Sequence, residues 1–316
     1  MGNPGDEFLS LVVPLYNEAA HLETTIPVIL GHLDSLGCAY EVLLVDDGSS
    51  DSTWAKVCQL SAGNTAVQGV RLSRNFGKEG AVSAGLRHAR GNVVAVMDGD
   101  LQHPPELLAD MLEIWRTGEA DVVEAVKRER HDESTLRGVG GRVFNTLYTR
   151  MTGYDLGEAT DYKVMDRRVV DEFLKLGETR IFYRGMIAWL GFRHRAVPFE
   201  VQPSVRQGSV WSMAGLAKYA LASLTSFTSA PLHLITIMGI FTLLSSVALG
   251  GWTLLLWVSN NALAGFSTVI VVQLFGNSII MLSLGVIGEY LGSVYQETKR
   301  RPRYVISELT HPAEPR

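Results

Sequence analysis

Four short apolar runs, rich in Val and Leu, punctuate the first hundred positions at residues 9–13, 42–45, 67–72 and 93–97. Between them polar residues return at helical spacing over 18–35, 52–60 and 77–89, and a further helical stretch, 105–115, follows the fourth run. Short apolar runs without strict alternation suit strands buried on both faces. Their alternation with helices predicts βαβ units, hence an α/β fold with a mostly parallel sheet and helices on both sides. Helix starts are signposted: Asp51-Ser52-Thr53 offers N-cap oxygens, and Pro104-Pro105-Glu106 suits a first turn. A fifth strand is expected at 121–126 and a helix at 167–174, with breaks at 138–141, 153–158 and 206–209.

The pattern changes after Lys218. From Tyr219 to Gly288 there is no Asp, Glu, Lys or Arg. This stretch divides into apolar segments at about 232–258 and 266–288, separated by Ser259-Asn260-Asn261, and each exceeds the roughly 20 residues that span a bilayer. The expected organisation is a catalytic domain at 1–210, a juxtamembrane amphipathic helix at 211–230, two transmembrane helices within 231–293, and a basic tail at 294–316. Lys299-Arg300-Arg301-Pro302-Arg303 flanks the second segment, Lys218 precedes the first, and the connecting loop is uncharged. The positive-inside rule then places the large domain and both termini in the cytoplasm of a multi-pass inner-membrane protein. Residues 1–7 have no apolar core and read as neither a signal peptide nor a myristoylation signal.

The formal net charge is −5. Residues 219–316 hold 5 basic and 4 acidic groups, which leaves 23 basic and 29 acidic groups, or −6, on residues 1–218. An acidic large domain argues against nucleic acid as a partner. Cys38 and Cys58 lack metal-ligand spacing and read as helix or core residues.

Candidate chemistry lies where the apolar runs stop. The first ends in Pro14-Leu15-Tyr16-Asn17-Glu18, the second in Asp46-Asp47-Gly48-Ser49-Ser50-Asp51, the fourth in Asp98-Gly99-Asp100-Leu101-Gln102-His103-Pro104. Ligands of open α/β sheets collect at the carboxyl ends of strands, so these groups can meet around one ligand. Asp98 and Asp100 suit a hard divalent cation on a diphosphate, and they equally suit a solvated turn. Asp46-Asp47 is as apt for capping as for ligand contact. After the third run, Arg74 and Lys78 bring positive charge beside Gly77 and Gly80, a pattern shared with a solvated basic helix start. Neither a Walker loop nor a G-x-G-x-x-G turn is present, so nucleotide hydrolysis and hydride transfer lose support.

Together, the Val12-to-Glu18 string, the Val45-to-Asp51 string, Arg74-Asn75-Phe76-Gly77-Lys78-Glu79 and the Asp98-to-Pro104 string resemble the family 2 inverting glycosyltransferases of A-type nucleotide-sugar fold. With the paired apolar segments and the Lys299-Arg300-Arg301-Pro302 ending, the chain is similar to the polyprenyl-phosphate branch of bactoprenol glucosyltransferases and dolichol-phosphate mannose synthases. The resemblance implies that Asp98, Asp100 and Gln102 hold Mg²⁺ or Mn²⁺, and that Pro14, Tyr16, Asn17, Glu18, Asp46, Asp47, Lys78 and Asp98 contact the nucleotide sugar. It implies catalytic roles for Asp100 and for Asp161, which opens a segment similar to the family's Asp-Phe-x-Leu-x-Asp; the helix-capping role there suits Asp166 better. Arg128, Arg142 and Arg206 resemble family arginines on the acceptor phosphate, although surface arginines are as often only solvated. The 206–212 run lacks the Lys of the family's Arg-x-x-Gly-x-Ser-Lys.

The implied reaction is inverting transfer of a hexose to polyprenyl (undecaprenyl) phosphate at the cytoplasmic leaflet, with UDP-glucose the preferred donor and GDP-mannose next. The implied partners are the donor, the lipid acceptor and the bilayer, with a homo-oligomer left open. Two rivals stand beside it. A processive polysaccharide synthase would carry more spans and a Gln-x-x-Arg-Trp motif, and a non-catalytic membrane scaffold would have no need of intact Asp98 and Asp100.

Overall fold

The four apolar runs are strands, β1 (Phe8–Leu15), β2 (Ala39–Asp46), β3 (Val67–Leu72) and β4 (Val93–Val96), in a computed structural model that describes residues 7–127, 159–178, 182–200, 230–259 and 266–310. Leu9, Leu11, Val12, the run 42–45 and the run 93–96 are fully buried, as expected of strands covered on both faces. Helices α1 (Leu22–Ser35), α2 (Thr53–Gly63), α3 (Lys78–His88) and α4 (Leu107–Arg116) fill the intervals. In α3 every residue of the run 80–86 is buried, and a Cβ on Gly85 would collide with Val12 and lie 3.1 Å from Val45. Small residues there let the helix lie directly on β1 and β2. Cys38 and Cys58 are free thiols packed at the margin of the core.

The sheet has eight strands in the order β7-β5-β6-β4-β1-β2-β3-β8, with β5 (Val122–Lys127), β6 (Ala159–Asp166), β7 (His194–Phe199) and β8 (Ile306–Leu309) completing it. The pairs β1–β2, β1–β4 and β2–β3 run parallel, as the βαβ pattern predicts, and β5–β7 is parallel too. Three contacts, β4–β6, β5–β6 and β3–β8, are antiparallel. Helices α5 (Arg167–Lys175) and α6 (Tyr183–Trp189) follow β6, and Asp166 caps α5 by accepting the Arg168 N–H at 3.0 Å.

The chain divides into two compact units, Met1–Trp211 with Arg301–Arg316, and Ser212–Arg300. Residues read from sequence as a basic tail therefore return to the first unit. There β8 pairs with β3, the Glu308 carboxylate accepts from Trp54 and Arg71, and Thr310 Oγ1 accepts the Gly69 N–H. The second unit holds α7 (Ala230–Val258) and α8 (Phe266–Thr298), both long and apolar enough to cross a membrane. Helix α8 runs ten residues past the expected apolar end at Gly288, because hydropathy stops there and helical hydrogen bonding does not. Phe241, Val247, Trp252 and Met281 are 64–69% exposed. The expected juxtamembrane helix, residues 211–229, lies outside the described residues.

Candidate active site

The loops at the carboxyl ends of β1 and β2 are laced into one ledge. The Asn17 N–H donates to Ser49 Oγ at 2.9 Å, Ser50 N–H returns a bond to Asn17 Oδ1 at 2.9 Å, and Glu18 N–H donates to Thr53 Oγ1 at 2.9 Å. Asp51 accepts from Ala19 and from the Thr53 N–H, so it caps α2 and ties down the β1 loop together. Asn17 takes a left-handed φ of 53°, which Asn tolerates better than most residues. Tyr16 stands 42% exposed on this ledge, with Pro14 partly covered behind it on β1.

The two acids that end β2 face inward. Asp46 is 0% exposed; its Oδ1 accepts the Ser49 N–H at 3.0 Å and Oδ2 lies 3.5 Å from Arg71 Nε. Burial raises its pKa against those partners. Its carboxylate supports the loop from beneath. Asp47, 2% exposed, accepts the Phe76 N–H at 2.7 Å and the Gly77 N–H at 2.9 Å, one on each oxygen, and burial raises its pKa too. It thereby fixes the turn that leads into α3 and Lys78. Gly48, at φ +64°, lets that turn press close; a Cβ there would lie 2.6 Å from Arg74 Cα.

The end of β4 is different. Asp98 and Asp100 are partly exposed, and the turn between them and His103 carries Leu101 at φ 57°, a left-handed conformation that costs an ordinary side chain about 1–2 kcal/mol. Strain of this kind is concentrated at functional sites. The Gln102 backbone N–H donates to Asp100 Oδ1 at 3.1 Å, so Gln102 meets this site through its amide. His103 is buried against Tyr162 and Phe199, with Nδ1 3.8 Å from Asp98 Oδ2, and burial lowers its pKa.

Antiparallel β6 brings in the third acid. Its register pairs Val96 with Lys163, and continuing that register sets Asp161 opposite Asp98. Lys78 Nζ bridges the two, 2.6 Å from Asp98 Oδ1 and 2.6 Å from Asp161 Oδ2, while Arg184 Nε binds Asp161 Oδ1 at 2.6 Å. Burial alone would raise the Asp161 pKa, but Arg184 and Lys78 outweigh it and hold the carboxyl far below the ordinary range. The adjacent Glu79 goes the other way. Burial and the Asp161 charge push it up to about 7 against the N–H it accepts from Tyr183 at 3.0 Å.

Sequence reasoning missed Arg184. It sits on α6, a short helix with no side-chain cap and no motif, 23 residues beyond Asp161, and only the tertiary fold joins the two. Arg128, Arg142 and Arg206 lie outside the described residues.

Among the described residues no cluster of three or more His, Cys, Asp or Glu forms a metal cage. The donor set still fits Mg²⁺ or Mn²⁺, because these ions are commonly held by one or two carboxylates with substrate phosphates and water completing the shell. Asp98 Oδ2 and Asp100 Oδ2 accept no hydrogen bond from a described residue, so a hard oxygen is available on each acid.

An α/β sheet of this order, with acids gathered at the ends of β4 and β6, belongs to the A-type glycosyltransferase class. The chain is a member of glycosyl transferase family 2, whose model matches residues 10–174. It is 38% identical to a Synechocystis glycosyltransferase over 95% of each protein, and 31% identical to the bactoprenol glucosyl transferase of Shigella phage SfV over 94% of this chain and 97% of that one. Its fold is similar to that of glucosyl-3-phosphoglycerate synthase from Mycobacterium tuberculosis, solved with Mn²⁺, UDP and glucosyl-3-phosphoglycerate. That match has a TM-score of 0.50 and 20% identity over 70% of this chain and 80% of the other.

Proposed function

We propose that this glycosyltransferase moves a hexose, with glucose from UDP-glucose the preferred case, onto a polyprenyl phosphate at the cytoplasmic face of a membrane, with inversion at the anomeric carbon. The observation that carries the chemistry is the Lys78 bridge between Asp98 and Asp161, which joins the diphosphate end of the site to an acid placed for the sugar. Support for the lipid acceptor comes from the bactoprenol glucosyl transferases, matched over nearly their whole length.

On this reading Tyr16, Pro14, Asn17 and Glu18 line the nucleoside side of the ledge, and Asp47 acts by fixing the turn that carries Lys78. Asp98, Asp100 and Gln102 would hold Mg²⁺ or Mn²⁺, whose charge would offset that growing on the leaving diphosphate. Lys78 adds a fixed positive charge on the same side.

Asp161 is a poor proton acceptor, since Arg184 and Lys78 hold it ionised. The acceptor scarcely needs one: a phosphate monoester has a second pKa near about 6 and is mostly dianionic at neutral pH. Asp161 therefore stabilises positive charge developing on the sugar ring. Arg184, two-fifths exposed beside it, joins Arg128, Arg142 and Arg206 as a group suited to the acceptor phosphate.

The fold also supports the membrane reading. Strand β8 shares a sheet with β1–β4, so residues 306–309 lie on the same side as the catalytic domain, and two crossings by α7 and α8 return the chain to where it began. Their exposed apolar side chains then face lipid.

The test is nucleotide release by the full-length protein with Mg²⁺ or Mn²⁺ and undecaprenyl phosphate, across UDP-glucose, UDP-galactose, UDP-N-acetylglucosamine and GDP-mannose. Release from one donor that needs lipid, metal and Asp100 is the expected result. Silence across the panel, matched by Asp100→Ala, would leave the scaffold reading in its place.

A further inference from the structure

The basic run after α8 serves the positive-inside rule through Lys299, Arg300 and Arg301, but its last arginine turns back into the catalytic unit. Arg303 stands five residues past the end of α8 at Thr298 and three before β8. Its Nε donates to the Glu178 carbonyl at 2.9 Å, Nη2 donates to the Leu176 carbonyl, and the guanidinium lies 6.0 Å from the centre of the Phe173 ring. Leu176 is the C-cap of α5, so the guanidinium satisfies a carbonyl at the helix end and ties it to Glu178 just beyond.

From Phe173 the contact continues toward the site. Its ring meets Tyr183 edge-on at 5.8 Å, Tyr183 N–H is bound by Glu79 on α3, and the next residue, Arg184, holds Asp161. On its other side the same segment binds the turn before α3, where Val305 accepts the Ser73 N–H at 2.8 Å, and Tyr304 lies against Arg87 of α3. Residues 303–305 thus touch both elements that deliver cations to Asp161: α3 with Lys78, and the α5–α6 region with Arg184.

We infer that Arg303 is a positioning residue for the transfer reaction: it caps α5 and, through Phe173 and Tyr183, holds Arg184 on Asp161. Its catalytic part rests on the proposed transferase reading; its structural part does not.

The experiment compares full-length wild type, Arg303→Ala, Arg303→Lys and Glu308→Gln in lipid nanodiscs by hydrogen–deuterium exchange and by lipid-dependent nucleotide release. Glu308→Gln loosens the same return strand at its far end, away from the site. Arg303→Ala is expected to speed exchange in α6 about tenfold or more, and to lower kcat about ten- to a hundredfold at saturating donor and lipid, with UDP affinity within about twofold. Arg303→Lys, which keeps the charge and loses the fork, is expected to fall between and guards against a variant that does not fold. Glu308→Gln is expected to speed exchange at β3 and leave kcat within about twofold.

Unchanged α6 exchange in Arg303→Ala would overturn the inference. So would an equal kcat loss in Glu308→Gln, or a loss confined to the KM for donor. If wild type releases nucleotide from no donor, the transferase reading fails by itself, and α6 exchange alone decides the role of Arg303.

Discussion

Strands β2 and β4 both end in a pair of carboxylates, and the two ends have opposite fates. At β2 the protein's own donors take the acids: Asp46 binds Ser49 beneath the loop, and Asp47 spends one oxygen each on Phe76 and Gly77. At β4, Asp98 and Asp100 remain partly open, and Asp98 shares the Lys78 ammonium with Asp161. There the Gln102 N–H reaches one oxygen of Asp100, and the second oxygen of each acid accepts no hydrogen bond from a described residue. Burial follows from that difference.

The sharpest way to break the contrast is Asp100→Ala. It is expected to lower lipid-dependent nucleotide release by about 10²–10³-fold, the scale of losing one preorganised electrostatic partner, while stability moves by only about 0.5 kcal/mol. Asp161→Asn is next, expected to cost about 10²-fold in kcat as Lys78 and Arg184 lose the anion they clamp; near-wild-type turnover at saturating substrates would remove Asp161 from the chemistry. Asp47→Ala should show the reverse profile. The partly buried Phe76 N–H loses its acceptor and the Gly77 N–H keeps only Asn75 Oδ1, a cost of about 1–3 kcal/mol in denaturant unfolding, and a variant as stable as wild type would refute the supporting role given to Asp47.

Glu79 gives a subtler effect. With a folded pKa of about 7 against an ordinary 4.5, the native state binds more protons than the unfolded one between those values. Stability should then fall as pH rises from about 4.5 to 7, by at most about 3 kcal/mol, and level off above. Glu79→Gln should flatten that slope, as read from melting temperature across pH.

The central layer of the fold was legible because its code is local. Runs such as 42–45 and 93–97, short and bounded by turn residues, read as buried strands, and α1–α4 follow from spacing and turn residues. The polar strand ends were equally visible, yet which of Asp46, Asp47, Asp98 and Asp100 keeps an unengaged oxygen depends on groups as far away as the Phe76 and Gly77 amides. Asp161 came into view only through a family resemblance, since its place opposite Asp98 is set by an antiparallel pairing more than sixty residues away in sequence. Arg184 and β8 carried no signal at all. One lies on a helix without a capping motif; the other is a four-residue strand, Ile306–Leu309, behind a basic run that reads as a solvated tail.

That late strand bears on how the protein is made. Chains emerge from the ribosome N-terminus first, and domains commonly fold as they appear. Here β3 waits with one unpaired edge while more than two hundred further residues, both apolar helices among them, are synthesised before Ile306–Leu309 can close it. An open strand edge is a template for pairing with another chain. The nascent transferase therefore carries that open edge for the whole interval in which its two apolar helices are being made, and the pairing of β3 comes only after both are complete.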